Sequence, residues 1–186
     1  MKDRLLILDI DETLIHTELI EAEFDFIMTF NDDTYTYFVK KRPHLDKFLK
    51  WAFENWQVGI FTTSTYDYVE KIMKNLGYSV SDFKFVFDRE YCNTKSHKFD
   101  HPHTGGRYYV KRLEKVKRTH NIALEKMIIV DDKPETASEN YGNLVQIKPF
   151  YSDINDTELL KLMDYLETIK DAANFRSIEK RGWSND

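Results

Sequence analysis

Short, largely apolar runs recur along the chain and are separated by longer stretches of mixed polarity. A continuous apolar run of about four to eight residues is typical of a strand that is buried on both faces of a sheet. We therefore predict five buried strands, at residues 5–8, 58–61, 83–87, 127–130 and 144–147.

Three other stretches place apolar residues at helical spacing. The first begins at Leu45, and Pro43 is expected in the first turn of that helix. The second runs from Tyr68 and is expected to stop at Gly77. The third follows Asp156, a predicted N-cap. Strands that alternate with helices predict an α/β fold, with helices on both faces of a mostly parallel sheet.

Three segments depart from this alternation. Residues 24–39 carry aromatic and β-branched side chains on both sides of Asn31-Asp32-Asp33, which predicts an early β-hairpin. Residues 89–110 predict an inserted loop or small β element. The tail at residues 171–186 has no clear period and is expected to be a partly mobile end.

Composition and charge exclude some of the protein classes to which this chain could belong. The chain of 186 residues suits one domain, or one domain with an insertion. Its net charge of −5 disfavours a nucleic-acid partner, because nucleic-acid binders usually carry a basic excess. No apolar stretch is long enough to span a bilayer, and the first residues lack the apolar core of a signal peptide. We therefore expect a soluble intracellular protein, cytoplasmic or nuclear, with no membrane partner.

Polar clusters follow three of the predicted strands. They are Asp9-Ile10-Asp11-Glu12-Thr13, Thr62-Thr63-Ser64 and Asp131-Asp132. In open parallel sheets, ligands bind beyond the carboxyl ends of the strands, so neighbouring strands would bring these clusters to one edge. Concentrated carboxylates repel unless a cation is present, and ligand sets made of oxygen suit Mg²⁺. The candidate metal ligands are Asp9, Asp11, Asp131 and Asp132.

The same residues suit phosphoryl transfer. Asp9 is the candidate nucleophile that would form an aspartyl-phosphate. Asp11 would protonate the leaving alkoxide and then activate water. Lys111 is the candidate cation for the phosphoryl oxygens, and Thr62 or Ser64 could donate a hydroxyl to them. Two further residues are candidates for contact with phosphate or substrate: Thr63 and Arg107.

These motifs together resemble the haloacid dehalogenase superfamily, in its carboxyl-terminal-domain phosphatase branch (the FCP1-homology, or NLI-interacting-factor-like, domain). Asp9-Ile10-Asp11-Glu12-Thr13-Leu14 resembles the first motif, D-x-D-x-T/V. Thr62 resembles the second motif, Lys111 the third and Asp131-Asp132 the fourth. A lone D-x-D is common, whereas four motifs in order at strand ends are specific. The resemblance extends from about residue 3 to about residue 169.

The resemblance implies a Rossmann-like core over residues 1–170, with the hairpin at 24–39 and an insertion between the second and third motifs. It implies that Mg²⁺ is held by Asp9, the backbone carbonyl of Asp11 and an acid of the fourth motif. It also implies a phosphorylated protein or peptide as substrate, with phosphoserine or phosphothreonine preferred. Asp132 stands where many small phosphatases have asparagine, and the insertion is longer and richer in histidine than theirs. The RNA polymerase II tail that the best-known members dephosphorylate is therefore not carried over to this chain.

Simpler interpretations compete with these predictions. Paired aspartates are often turn residues or helix caps, and Thr62 could merely cap the helix that follows. Lys111 could be an exposed lysine, with Arg107 and Arg112 as rivals for the phosphate. The hairpin aromatics either form a recognition wall or pack one face on the core; they are Phe24, Phe26, Tyr35, Tyr37 and Phe38. A zinc site is also conceivable, although its spacing matches no standard module and surface histidines are favoured; its ligands would be Cys92, His97, His101 and His103.

Two other functions compete with a protein phosphatase. One is a phosphatase for small metabolites or phosphotyrosine, which charge and motifs do not separate from the first. The other is a non-catalytic binding module of the same fold, similar to a mitochondrial import receptor. Loss of Asp9 or Asp11 would favour the binding module, and the chain keeps both.

Overall fold

Strands and helices alternate through the computed structural model, which describes residues 3–21, 23–30, 35–96 and 107–184. The described strands are β1 (Leu5–Leu8), β2 (Ile15–Glu18), β3 (Phe26–Phe30), β4 (Tyr35–Lys41), β5 (Gln57–Phe61), β6 (Val86–Phe87), β7 (Asn93–Ser96), β8 (Arg107–Val110), β9 (Met127–Asp131) and β10 (Leu144–Gln146). The described α-helices are α1 (Leu45–Asn55), α2 (Tyr66–Asn75), α3 (Leu113–His120) and α4 (Glu158–Ile169). Short 3₁₀-helices lie at Val80–Asp82, Arg89–Tyr91, Leu124–Lys126, Pro134–Ala137, Tyr141–Asn143 and Phe175–Ser177. None of the helices in these ranges is both long and apolar enough to cross a membrane.

The central sheet holds five parallel strands in the order β10-β9-β1-β5-β6. Leu8 of β1 is in register with Val130 of β9 on one side and Ile60 of β5 on the other. All of β1 is buried, and its residues alternate between a larger core that includes Leu6 and a smaller core that includes Ile7. Helices α1, α2 and α4 supply side chains to the larger core, and α3 supplies them to the smaller one. The predicted α/β fold, with helices on both faces of a parallel sheet, is confirmed.

The predicted early hairpin is confirmed as part of a three-stranded antiparallel sheet in the order β2-β4-β3. Phe30 pairs with Tyr35 at the end of the hairpin, and the predicted loop at 31–33 lies outside the described residues. The third strand, β2, was not predicted, because Ile15 is its only fully buried residue and its polarity pattern is weak. This sheet packs on the domain through Phe30, whose ring stacks on that of Tyr68 with centroids 6.2 Å apart.

The insertion contains a small antiparallel pair formed by β7 and β8. Asn93 pairs with Val110, and Ser96 pairs with Arg107. This confirms the small β element. Of the four candidate zinc ligands, His97, His101 and His103 lie outside the described residues; the fourth, Cys92, is half-buried, and its Sγ donates to the carbonyl of Thr62 at 3.5 Å.

Several predicted boundaries are wrong. Pro43 lies ahead of α1, because His44 takes a left-handed conformation (φ 67°) and the helix begins at Leu45. The N-cap of α4 is Thr157; Asp156 instead accepts from the Glu158 N–H and forms an ion pair with Arg42. Two further differences concern whole segments: only Val86–Phe87 of the run at 83–87 forms strand β6, and α3 was not predicted, since it buries only Leu113 and Val116.

The described part of the tail packs on the domain, where we expected a partly mobile end. Phe175 is fully buried, and the centroids of its ring and the Trp56 ring are 5.5 Å apart. Trp183 donates its indole N–H to the backbone carbonyl of Gln146 at 2.6 Å. Lys180 is also buried and donates to the carbonyl of Phe175 at 2.5 Å. The tail carries too few apolar residues to show a period, yet these residues anchor it.

Candidate active site

The three polar clusters meet at the carboxyl edge of the central sheet. Asp9 follows β1, Thr62 follows β5, and Asp131 ends β9, and these three strands are neighbours. The backbone N–H of Asp9 donates to the carbonyl of Val130 at 3.0 Å, which fixes Asp9 at the end of the ladder. The sequence prediction of one shared edge therefore agrees with the geometry.

Lys111 brings a buried positive charge to this edge. Its Nζ lies 2.6 Å from Oδ1 of Asp9 and 2.7 Å from Oδ2 of Asp131, and its side chain is almost completely buried. Burial acts to lower the pKa of Lys111, but the ion pairs with Asp131 and Asp9 outweigh it and raise that pKa. The ammonium group therefore stays charged, and the interpretation of Lys111 as an ordinary exposed lysine is wrong. Its rival Arg112 pairs instead with Glu139, at 2.6 Å.

The backbone around Lys111 is fixed by two residues that the sequence analysis did not single out. The Lys111 N–H donates to the carbonyl of Thr136 at 2.7 Å. The side-chain amide of Asn140 donates to the Lys111 carbonyl at 2.8 Å. Both partners lie in the segment after β9, more than twenty residues away in sequence, and no local pattern in the sequence marks them.

Asp131 and Asp132 have different surroundings. Oδ2 of Asp131 accepts from Lys111 and, at 2.7 Å, from the hydroxyl of Thr136, and its Oδ1 accepts from the Lys133 N–H at 2.9 Å. Oδ1 of Asp132 is buried and has no hydrogen-bond partner among the described residues. Burial raises the pKa of Asp132 to about 6. A buried carboxylate oxygen without a donor is costly unless a cation satisfies it.

The acidic cluster fits a divalent cation. One carboxylate oxygen from each of Asp9, Asp131 and Asp132 lies within 4.8 Å of the other two. Burial raises the pKa of Asp9 to about 8, despite the opposing charge of Lys111. An oxygen-only ligand set suits a hard cation, and one of the three residues, Asp132, has a buried carboxylate oxygen without a hydrogen-bond partner among the described residues. Three donors already engage the carboxylate of Asp131. The carboxylates open to a metal are therefore those of Asp9 and Asp132.

Asp11 is held by two hydroxyl groups from the segment after β5. The Ser64 hydroxyl donates to Oδ2 at 2.7 Å, and the Tyr68 hydroxyl donates to Oδ1 at 2.5 Å. Burial, with the nearby charge of Asp11, raises the pKa of Tyr68, so the phenol keeps its proton and remains a donor. Sequence analysis placed Tyr68 in the apolar period of a helix and missed this contact.

Thr62 and Thr63 face different surroundings. Thr62 is fully buried, and its hydroxyl oxygen accepts from the Ser64 N–H at 3.1 Å, which leaves the hydroxyl hydrogen free to be donated. It does not cap the helix, since α2 begins after Thr65. The carbonyl of Thr63 accepts from Arg89 at 2.7 Å, and Thr63 lines a separate cavity that Arg107 also lines.

Two cavities adjoin this edge and share no lining residue. One, of about 240 Å³, is aromatic and is lined by Phe30, Tyr35, Tyr37, Thr65, Asp67 and Tyr68. The other, of about 500 Å³, is lined by Thr63, Thr94, Arg107, Tyr108, Tyr109, Lys133, Glu135 and Thr136. Tyr35 and Tyr37 therefore lie on the wall of a cavity. Tyr37 and Phe26 also pack against the core, and Phe24 packs against Phe38.

Comparison with known sequences identifies the family. The NLI interacting factor-like phosphatases match residues 4–176. The chain belongs to this family. The match confirms the resemblance to carboxyl-terminal-domain phosphatases and extends past residue 169 to the first residues of the anchored tail.

Relatives of this phosphatase include viral and vertebrate proteins. The CTD phosphatase-like protein 355R of Invertebrate iridescent virus 3 is 32% identical over 91% of this chain and 98% of its own length. The CTD nuclear envelope phosphatase 1B of Danio rerio is 30% identical over 97% of this chain and 73% of its own length. The solved structure of Fcp1, an essential RNA polymerase II CTD phosphatase, superposes with a TM-score of 0.65 at 17% identity, over 91% of this chain and 63% of that one. The Fcp1 structure supports the fold, and the sequence relatives support phosphatase activity.

Proposed function

We propose that this phosphatase is a Mg²⁺-dependent phosphomonoester hydrolase that works through an aspartyl-phosphate on Asp9, with phosphoserine or phosphothreonine in a protein as substrate. One observation carries the proposal. Asp9 is buried at the end of the central strand with the ammonium of Lys111 at 2.6 Å, while the carboxylate of Asp11, two residues later, is held separately by Ser64 and Tyr68.

The two aspartates would divide the chemistry between them. A carboxylate oxygen of Asp9 attacks phosphorus, and the bond from phosphorus to the leaving oxygen breaks. Asp11 gives its proton to that oxygen and so releases the alcohol. In the second step Asp11 takes a proton from water, whose oxygen attacks phosphorus and releases inorganic phosphate and free Asp9. Water and phosphomonoester are the only reactants that this sequence of steps consumes.

Lys111 and Thr62 would stabilise the charge that develops on the transferred group. Lys111 is already desolvated and fixed by Asp131, so it needs little reorganisation to face a phosphoryl oxygen. The hydroxyl hydrogen of Thr62 would supply a second, neutral donor at the same edge of the sheet. Asp131 would then position Lys111 and would not hold the metal. From the sequence alone, Asp131 is also a candidate metal ligand.

Asp9, Asp132 and the backbone carbonyl of Asp11 would hold the metal. The unpartnered buried oxygen of Asp132 supports this assignment, and the oxygen-only ligand set favours Mg²⁺. When bound, Mg²⁺ would neutralise phosphoryl oxygens and so ease the approach of an anionic nucleophile.

A protein substrate is supported by the relatives of this chain. Several of them are named CTD phosphatases, which points to a phosphorylated protein or peptide. No observation on the described residues favours phosphotyrosine or a non-catalytic role.

Hydrolysis of an aryl phosphate tests the proposal, with and without Mg²⁺, for the wild type, Asp9→Asn and a matched control. Asp164→Asn removes one carboxylate from the exposed face of α4 and is the control. We expect Mg²⁺-dependent turnover in wild type and control, and a loss of roughly a thousandfold or more in Asp9→Asn. Equal turnover by Asp9→Asn would overturn the nucleophile assignment. Peptides with phosphoserine, phosphothreonine or phosphotyrosine then rank the substrate classes.

A further inference from the structure

The cavity of about 500 Å³ beside the active site carries positive charge in an acidic protein. Its lining includes two cations, Arg107 and Lys133, and one acid, Glu135, whereas the chain as a whole has a net charge of −5. Hydroxyl groups from threonine and tyrosine complete the lining. Such a set of cations and neutral donors suits an anion.

The cavity opens directly beside the reacting centre. Thr63 on its wall follows Thr62, and Thr136 on the same wall donates to the carboxylate of Asp131 at 2.7 Å. Arg107 begins β8, and Lys111 follows the end of that strand. The four residue steps from Arg107 to Lys111 span roughly 13 Å if the chain is extended. The guanidinium of Arg107 could therefore reach a group that lies a few residues from the reacting phosphate on a bound peptide.

Arg107 is available for a ligand. It is exposed and forms no ion pair with any residue of the described ranges, whereas its neighbours Lys95 and Arg112 both pair with Glu139 at 2.6 Å. Lys133 contacts Glu12 at 3.1 Å through one of its three N–H donors and leaves about half of its side chain exposed. The two cations therefore retain unused donors inside one cavity.

We propose that this cavity binds a second anionic group of the same phosphorylated peptide, a phosphate or a carboxylate two to four residues to one side of the reacting phosphate. The inference rests on the proposed function and adds to it the sequence context of the substrate. The planar fork of Arg107 can bind two oxygens of a phosphate or carboxylate at once, and Lys133 adds a point charge. An extended peptide rises about 3.3 Å per residue, so this spacing matches the reach along β8.

The test compares three families of peptides, each with one reacting phosphoserine. The families differ at a second position, which lies one to four residues to either side of the reacting phosphoserine. This position carries phosphoserine in one family, glutamate in another and serine in the third. Wild type, Arg107→Ala and Arg107→Lys are assayed for kcat/KM, with Arg118→Ala as control. Arg118 lies on α3, does not line the cavity and has a mostly exposed side chain. Its replacement by alanine changes the net charge by the same amount as Arg107→Ala. Turnover of an aryl phosphate is measured on every variant.

In wild type we expect kcat/KM to be about twofold to fivefold higher for peptides with a second anion at the favoured spacing, the size of an exposed ion pair. This ratio should fall towards one in Arg107→Ala, survive in part in Arg107→Lys, and persist in Arg118→Ala. High salt should reduce it.

The inference is overturned, while the proposed function stands, by aryl phosphate turnover with no preference for a second anion or by a preference that Arg107→Ala leaves intact. Equal loss in Arg118→Ala would also overturn it, because net charge alone would then explain the effect. Absence of aryl phosphate turnover in wild type would overturn the proposed function, and this inference with it.

Discussion

The hydroxyl of Tyr68 donates to the carboxylate of Asp11 at 2.5 Å, across 57 positions of sequence. The phenol belongs to the first turn of α2, and its ring stacks on Phe30 of the antiparallel sheet. The contact therefore links the orientation of the candidate acid to the packing of the aromatic cavity. It makes Tyr68 a positioning residue for Asp11.

Tyr68→Phe should lower kcat for an aryl phosphate roughly tenfold to a hundredfold, the effect of one lost hydrogen bond to a charged group. The ring remains, so packing on Phe30 is preserved and the thermal midpoint should change little. Tyr141→Phe removes an exposed hydroxyl and is the control. If the two variants have the same kcat, the Tyr68 contact does not position Asp11.

Lys111→Met should strongly destabilise the protein and abolish activity. The substitution leaves the carboxylates of Asp9 and Asp131 buried without their cation, which costs about 3–5 kcal/mol of unfolding free energy. Lys126→Met breaks a surface pair with Asp3 and should cost about 1 kcal/mol or less. Urea unfolding of both variants at neutral pH measures the difference. Similar losses in the two would contradict a central role for the buried pair.

Asp132→Asn should separate metal binding from the positioning of Lys111. Asparagine keeps one oxygen but removes the charge, so half-maximal activity should need roughly tenfold more Mg²⁺. The metal-free variant should be more stable than the wild type, because an unpartnered buried carboxylate is removed. Asp131→Asn should instead lower kcat with a smaller change in Mg²⁺ requirement. Thermal shift with and without Mg²⁺ checks both effects, and identical Mg²⁺ curves for the two variants would contradict the assignment.

Cys92 should react slowly with iodoacetamide in the folded protein. Burial raises the pKa of its thiol to about 11, so the reactive thiolate is scarcer at pH 8 than in a free cysteine. The rate at pH 8 should be roughly a hundredfold below that of the unfolded chain and should rise with pH up to about 11. Mass spectrometry of the alkylated protein follows the reaction. Equal rates for folded and unfolded protein would contradict the burial of this thiol.

The sequence predicted the sheet and its reactive edge well, because a strand that is buried on both faces is an uninterrupted apolar run. Leu5–Leu8 is such a run, and the residue after it is Asp9. The same logic placed Thr62 and Asp131 at the ends of neighbouring strands. Half-buried elements carry weaker patterns, which is why β2, with Ile15 as its only fully buried residue, was missed.

Contacts between distant segments could not be predicted from local pattern. Tyr68 reads as an apolar helix position until Asp11 is placed beside it. Arg42 is buried and pairs with Asp156 at 2.8 Å, 114 positions away. The local sequence around either residue therefore does not indicate its partner. The anchoring of Phe175 likewise depends on Trp56, which only the folded chain brings near.

The covalent intermediate on Asp9 is the central claim, and direct detection of it is the sharpest measurement. Protein turning over an aryl phosphate with Mg²⁺ is quenched in acid, digested and analysed by mass spectrometry. We predict that the peptide containing Asp9 carries one phosphoryl group, that neutral hydroxylamine removes it as expected of an acyl phosphate, and that Asp9→Asn lacks it. A turning-over enzyme with no phosphoryl group on Asp9, or with one on a different residue, would contradict the account.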